Sequence, residues 1–549
     1  MVMNKLMIRL AILSILMPCI SEAQNFQRYW VQLKNKDGTP YSVSTPTAFL
    51  SAKSVQRRTN QGIAIHPSDL PVTPSYISQI EGVTDVKVLY ASKWLNALAV
   101  EITTSVSAAV TTATNAINSF SFVQSTSKTN KLKVVFEKVD DGMPVADMNR
   151  TNAAPNYYGG AYWQNKQLRV DCIHYHGYRG QGMTIAVMDA GFRNVNTLAA
   201  FDSLRARNGI LGTWDFVTGD NSVYEDNSHG TNVLSCMAAL VPSVMVGSAP
   251  RADYWLLRTE EAATETPSEE YNWIRAAEFA DSVGADILTT SLGYTTFDNP
   301  SFNHVYSGLN GKTYPMSIAA TMAARKGMFV LNSAGNEGSS AWQYVGVPAD
   351  ADSICTVGAV DSLGNVTSFS SKGPTPDGRI KPDLVARGGN AYVATQSGNF
   401  LYGNGTSFSC PVVAGAVACF WQKFNTFSNI KVLDTLRKTA SHNNAPNNSR
   451  GWGMPNVCAL PVGLPKYDFK GDVLSVFPNP VKNQVTIELK QGLVGRHEAV
   501  LTDVSGKVIY TEKITGLVTT IPLQELPEGV YLLKITTPSG VYTEKLIKE

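Results

Sequence analysis

Cysteine is scarce in this chain, with seven in 549 residues, and no CxxC pair or Cys/His cluster offers a zinc site. An excess of one charge is also missing. There are 46 basic and 44 acidic residues, a formal net charge of +2. Nothing therefore favours nucleic acid or an anionic membrane as a partner. Long apolar runs are absent beyond the N-terminus, so no later segment offers the roughly 20 apolar residues of a membrane helix. What is present is a globular composition, 44% hydrophobic and 16% charged. That is enough apolar material for a large core, and the length predicts three or four domains.

The N-terminus reads as a secretory signal. Lys5 and Arg9 give a positive region before an apolar run, residues 10–20 (LAILSILMPCI), that is too short to span a bilayer. Ser21 and Ala23 then supply small residues before a cut after Ala23. Residues 1–23 are expected to be removed, leaving a mature chain outside the cytoplasm. A lipid anchor on Cys19 is the alternative, and Pro18 fits such a site poorly. Without Cys19 six cysteines remain: Cys172, Cys236, Cys355, Cys410, Cys419 and Cys458. Disulfides are permitted in that compartment. Cys236, Cys355 and Cys419 lie inside apolar runs, where a thiol acts as a small core residue. Both states stay open.

Four segments follow the signal. Residues 24–150 mix strand-like runs (29–33, 83–90, 98–102, 132–136) with helical patterns (48–58, 74–80, 107–117), which predicts a small α+β unit. Residues 156–460 alternate apolar strands (184–188, 253–257, 286–292, 328–332, 354–359) with helices near 271–283 and 316–326. This predicts an α/β fold on a doubly wound parallel sheet, with the loops at the strand C-termini open to chemistry. Residues 461–471 read as a linker. Residues 472–549 carry seven short strand patterns with turn signals such as Ser505-Gly506 and Ser539-Gly540, which predicts a β-sandwich.

Three stretches of the second segment carry candidate chemistry. In GMTIAVMDAG, residues 182–191, an apolar strand ends in Asp189 with small residues beside it. In HGTNVL, residues 229–234, a polar loop delivers His229 to the start of an apolar helix, and Gly230 lets that start lie close to other backbone. In GTSFSCPVVAG, residues 405–415, Ser407 opens a helix with Pro411 in its early turns, where first-turn amides have no partner to lose. Each stretch has a bland reading: a strand-end carboxylate, a structural histidine, an N-cap serine.

Together, and in this order, they resemble the subtilase family of serine proteases. Asp, His and Ser are 40 and 178 residues apart, in the chain order known for subtilisin. NSAGNEG, residues 332–338, resembles the family's oxyanion loop, and Ser291-Leu292-Gly293 the segment that pairs with extended substrate. Residues 354–361 and 368–382 resemble family core segments. The resemblance implies a subtilisin-like fold with Asp189, His229 and Ser407 as catalytic triad. It further implies Asn336 as oxyanion donor and Ser291, Leu292 and Gly293 as substrate-binding residues. It requires no cofactor and places no metal. Calcium, frequent in the family, stays unplaced: the loop 295–314, with Asp298 and several Asn, could hold an ion, with a solvated insertion as the alternative. Leu292 and Gly293 suggest an apolar-walled pocket with Glu337 at its rim, hence large apolar substrate side chains first and basic ones next. The chain departs from the family at Asn232, where a second His is usual, and at Phe408-Ser409-Cys410, where Met-Ala-Ala is common. Neither change removes a catalytic group.

The flanks extend the resemblance. Residues 24–150 resemble loosely the propeptide of these proteases, which implies an inactive precursor cut between about residues 140 and 162. Residues 472–549 resemble the C-terminal sorting domain of type IX secretion cargo, through VFPNPV (476–481), DVSGK (503–507) and LPEGVYLLKI (526–535). Partners would then be protein or peptide substrates and the type IX machinery, in a secreted or surface-attached protein of a Gram-negative cell. A carbohydrate- or protein-binding sandwich is the alternative for this segment. Two rivals exist for the whole: a catalytically idle binding protein, and an α/β-hydrolase esterase. The esterase would need Gly where Ser409 stands, and a different triad order.

Overall fold

The computed structural model describes residues 27–129, 157–459, 474–489, 497–537 and 540–549. The expected signal sequence, the expected strand at 132–136 and the expected linker lie outside the described residues. Among the described residues no helix is long and apolar enough to cross a membrane.

The central unit is built on seven parallel strands. Their order is Leu384–Arg387, Cys355–Val360, Phe329–Ser333, Ile287–Thr290, Thr184–Asp189, Asp253–Arg258, Ile210–Asp215. The interior strand Thr184–Asp189 shows why both faces must be covered. Ile185 and Val187 pack into one core, with helices His229–Ala238 and Thr406–Lys423. Ala186 and Met188 pack into the other, with helices Pro267–Val283 and Pro315–Arg325. All six strand residues are buried. Side chains alternate across a strand, so a run apolar at every position requires a layer on each side. The pattern had not revealed Ile210–Asp215 or Leu384–Arg387 as strands. The first carries Gly212 and is only partly buried, and the second is four residues long and follows Pro382.

The N-terminal unit is a four-stranded antiparallel sheet ordered Val86–Ser92, Ala97–Ile102, Gln27–Leu33, Val123–Lys128. It packs against helix Pro267–Val283 through a buried ionic contact. Asp281 on that helix accepts from Arg57 and Arg58, the latter at 2.7 Å. Arg58 also reaches Asp69 at 2.9 Å, and Lys326 reaches Asp69 from the central unit at 2.5 Å. One turn away, the Glu278 carboxylate accepts from the Ser92 hydroxyl and from the backbone N–H groups of Lys93 and Trp94. Trp30 stacks on Tyr271 with ring centroids 4.4 Å apart.

The C-terminal unit has the seven expected strands in two sheets. Leu474–Phe477, Gln484–Leu489 and Val518–Pro522 form one. The other is ordered Val508–Lys513, Glu498–Asp503, Gly529–Thr537, Gly540–Lys548. A shared apolar core includes Val485, Ile487, Leu501, Leu533 and Leu546.

The open question over cysteine resolves both ways. Cys236, Cys355, Cys410 and Cys419 are buried thiols, and burial raises all four, Cys410 to about 12. Cys172 and Cys458, 286 residues apart, form a disulfide that ties the two ends of the central unit together. Closing so long a loop restricts the unfolded chain. Cys458→Ser in a Ser407→Ala background should therefore lower stability by about 2–4 kcal/mol. The check is thermal unfolding with and without reductant, in which the variant should no longer respond to reductant.

Candidate active site

Asp189 ends the interior strand Thr184–Asp189 and is fully buried. Its Oδ1 accepts from His229 Nδ1 at 2.8 Å and from the Ala190 N–H at 2.8 Å. A carboxylate only accepts, so the neutral ring carries its proton on Nδ1, leaving Nε2 as the basic nitrogen. His229 opens its helix, and its own N–H donates to Asn227 Oδ1 at 2.7 Å. The residue after it has to be glycine. A Cβ on Gly230 would lie 2.4 Å from the Gly191 carbonyl oxygen and 2.9 Å from Asp189 Cβ. The close approach expected of this glycine is what brings His229 within reach of Asp189.

Ser407 is the second residue of helix Thr406–Lys423, half-buried. Its Oγ donates to the Ser291 carbonyl at 3.1 Å, while the Ser291 hydroxyl donates back to the Ser407 carbonyl at 2.9 Å. Pro411 explains that return bond. It is the sixth helical residue, deeper than the first turn. There an N–H would ordinarily bond the carbonyl four residues back, which is Ser407. Proline leaves that oxygen open, and Ser291 takes it.

Asn336 lies on the loop after strand Phe329–Ser333. Its Oδ1 accepts from the Thr406 N–H at 2.9 Å and the Thr406 hydroxyl at 3.0 Å. The Thr406 hydroxyl in turn accepts from the Gly335 N–H at 3.2 Å. With the oxygen held twice, the Asn336 NH₂ is the group left to donate elsewhere. Thr406 went unnoticed in the sequence because a threonine before a serine carries no signal until the loop of Asn336 folds over it. We expect Thr406→Val to lower kcat by about tenfold with little change in KM, and Thr406→Ser to restore most of it. Steady-state kinetics on one peptide substrate decide this.

His229, Ser407, Asn336 and the segment Ser291-Leu292-Gly293 line a single cleft of about 830 Å³, with Asp189 directly behind His229. Gly293 is exposed, and none of these three residues belongs to a strand. Side chains of the loop 295–314 contact the helix Pro267–Val283 and the segment before it. His304 Nε2 meets Glu270 at 2.8 Å, and Asp298 accepts from the Glu265 N–H at 3.0 Å. Among the described residues the one group with metal-ligand spacing is Cys172, His176 and Cys458, two of which form the disulfide.

Three segments of the chain match known protein families. Residues 180–453 match the subtilase family. Subtilisin E of Bacillus subtilis strain 168 is 31% identical over 327 residues, covering 59% of this chain and 77% of its own. The chain belongs to the subtilase family. It is a serine endopeptidase. Subtilisin of Bacillus pumilus is 32% identical over 280 residues, covering 50% of this chain and 90% of its own. Among solved structures, that of MycP1 with its N-terminal propeptide removed aligns with a TM-score of 0.44 at 23% identity, covering 56% of this chain and 99% of that one. Residues 28–140 match the peptidase S8 propeptide domain of Bacteroidota, and residues 475–549 the secretion system C-terminal sorting domain. This subtilase is therefore a secreted or cell-surface protein of that Gram-negative group, carrying a propeptide and a type IX sorting domain.

Proposed function

We infer that this subtilase hydrolyses peptide bonds through an acyl-enzyme on Ser407. His229 Nε2 takes the Ser407 proton as Oγ attacks the carbonyl carbon, and returns it to the leaving amine. Asp189 keeps the ring in its Nδ1–H tautomer and stabilises the cation that forms. The Asn336 NH₂ and the Ser407 N–H meet the developing oxyanion. Water then repeats the sequence and frees the acid product. The segment 291–293 offers backbone groups to an extended substrate. No step needs a metal or cofactor, and calcium, if bound, would serve stability alone. The N-terminal unit keeps the precursor inactive until it is cut away, and the C-terminal unit delivers the chain to the type IX machinery.

The observation that carries this reading is the 2.8 Å bond between Asp189 and His229 in a cleft that also holds Ser407 and Asn336. Its test is labelling of the mature protein with a fluorophosphonate. One label should map to the peptide containing Ser407. Labelling elsewhere, or none in a protein that has lost its N-terminal unit, would sink the assignment.

A further inference from the structure

The cleft is far more acidic than a chain of net charge +2 would lead one to expect. Asp226, Glu260, Glu261, Glu265, Glu269 and Glu337 line it, against two arginines. Arg258 is committed to Asp215 at 2.6 Å and Asp226 at 2.9 Å, so it does not neutralise the remainder. Arg193 is the other cation and is exposed. Two of the carboxylates serve the fold: Glu260 accepts from the Tyr294 hydroxyl, and Glu269 accepts from the N–H groups of Glu261 and Thr266. Glu261 is exposed and Glu337 half-buried at the rim. The wall bearing Glu261 is held in place, because Glu265 and Asp298 exchange two hydrogen bonds, each 3.0 Å.

A second observation points to the same ligand chemistry. Asn332 lines the cleft and is 1% exposed. Its NH₂ donates to the Leu292 carbonyl at 3.0 Å and the Ser333 carbonyl at 2.8 Å, but its Oδ1 accepts from nothing. A buried acceptor without a donor is unfavourable and is relieved by a ligand that brings an N–H. Segments 291–293 and 332–337 border the same cleft as Ser407 and Asn336, which leaves the gap between them for the side chain of the residue whose carbonyl is attacked. Glu337 and Asn332 line that part of the cleft.

We propose that this cleft selects lysine or arginine at the residue whose carbonyl is attacked, with a further basic residue nearby favoured by Glu261. This deepens the protease reading and rests on it. It also reverses the order of preference that Leu292 and Gly293 suggested. A cation at that position brings donors to Asn332 Oδ1 and charge to Glu337, whereas an apolar side chain would bury both without compensation.

The test is digestion of a set of denatured proteins with the mature enzyme and mapping of the cut bonds by mass spectrometry. Lysine and arginine should precede the cut at least about fivefold above their abundance. In matched peptides, the ratio of kcat/KM for lysine over norleucine should fall about tenfold in the Glu337→Gln/Glu261→Gln double variant. Cuts mainly after leucine, phenylalanine or tyrosine, or a ratio the variant does not move, overturn the proposal while leaving the protease reading intact. No cuts at all by a fluorophosphonate-reactive enzyme overturn both.

Discussion

Ser407→Ala should yield a full-length chain that never matures and cleaves no protein. The loss in kcat is on the order of 10⁶-fold, the figure for subtilisin, carried over by family likeness. The physical reason is specific to the hydroxyl. His229 holds its proton on Nδ1 against Asp189 and has a basic Nε2, but without Oγ there is no group whose proton it can take. The fold should survive, because Ser407 Oγ makes one hydrogen bond, to the Ser291 carbonyl, and alanine suits a helix start about as well. The measurement is paired: band size after expression, and hydrolysis of an unfolded protein. A variant that is processed like wild type and retains cleavage would remove Ser407 from the mechanism. A variant that is processed but inert would show that another protease does the cutting.

In that inert background, Asp281→Ala should separate the N-terminal unit from the rest at a cost of about 3–5 kcal/mol, the range for removing one partner of a buried ionic contact. Arg57 and Arg58 are almost fully buried against Asp281, so its removal leaves buried guanidinium groups short of their partner. The contact has a pH signature. Burial pushes Asp281 up, but Lys93, Arg57 and Arg58 outweigh it and hold it below the ordinary aspartate range. For Asp69 burial is likewise outweighed, by Lys326 and Arg58. Lowered values mean that the ionised forms are the ones the docked state favours. Their stabilisation is present above the unbound value near pH 4 and is lost as pH falls through the docked values. Glu278 has the opposite sign: burial raises it despite Lys93 and the hydrogen bonds it accepts. Its ionisation opposes docking, so mild acid should not loosen the contact. Limited proteolysis across a pH series is the check. The Ser407→Ala parent should stay resistant down to about pH 4 and open below it, and its Asp281→Ala derivative should already be open at neutral pH. Release between pH 7 and 5 would contradict this account.

The part of this molecule legible in advance is what local chemistry dictates. Residues 185–188 are apolar at every position, so they had to be a central strand covered on both faces, and Asp189 had to emerge at its end. Gly230 after His229 announced a close approach, since no other residue fits 2.4 Å from a carbonyl oxygen. The seven strands of the C-terminal unit followed from alternation and turn residues. What tertiary structure alone decided depends on groups that meet across long stretches of chain. Thr406 gains its role only when the loop of Asn336, 70 residues earlier, folds onto it. Pro411 matters through the Ser407 carbonyl it leaves open, which Ser291 reaches from 116 residues away. Cys172 finds Cys458 across 286 residues, and a pairing of that kind carries no local periodicity. The acidity of the cleft is of the same type: its carboxylates are scattered over a nearly neutral sequence, and only the fold gathers them on one wall. Residue types and short-range spacing state which groups exist, while distances between them are set by the packing of the sheet and its helices.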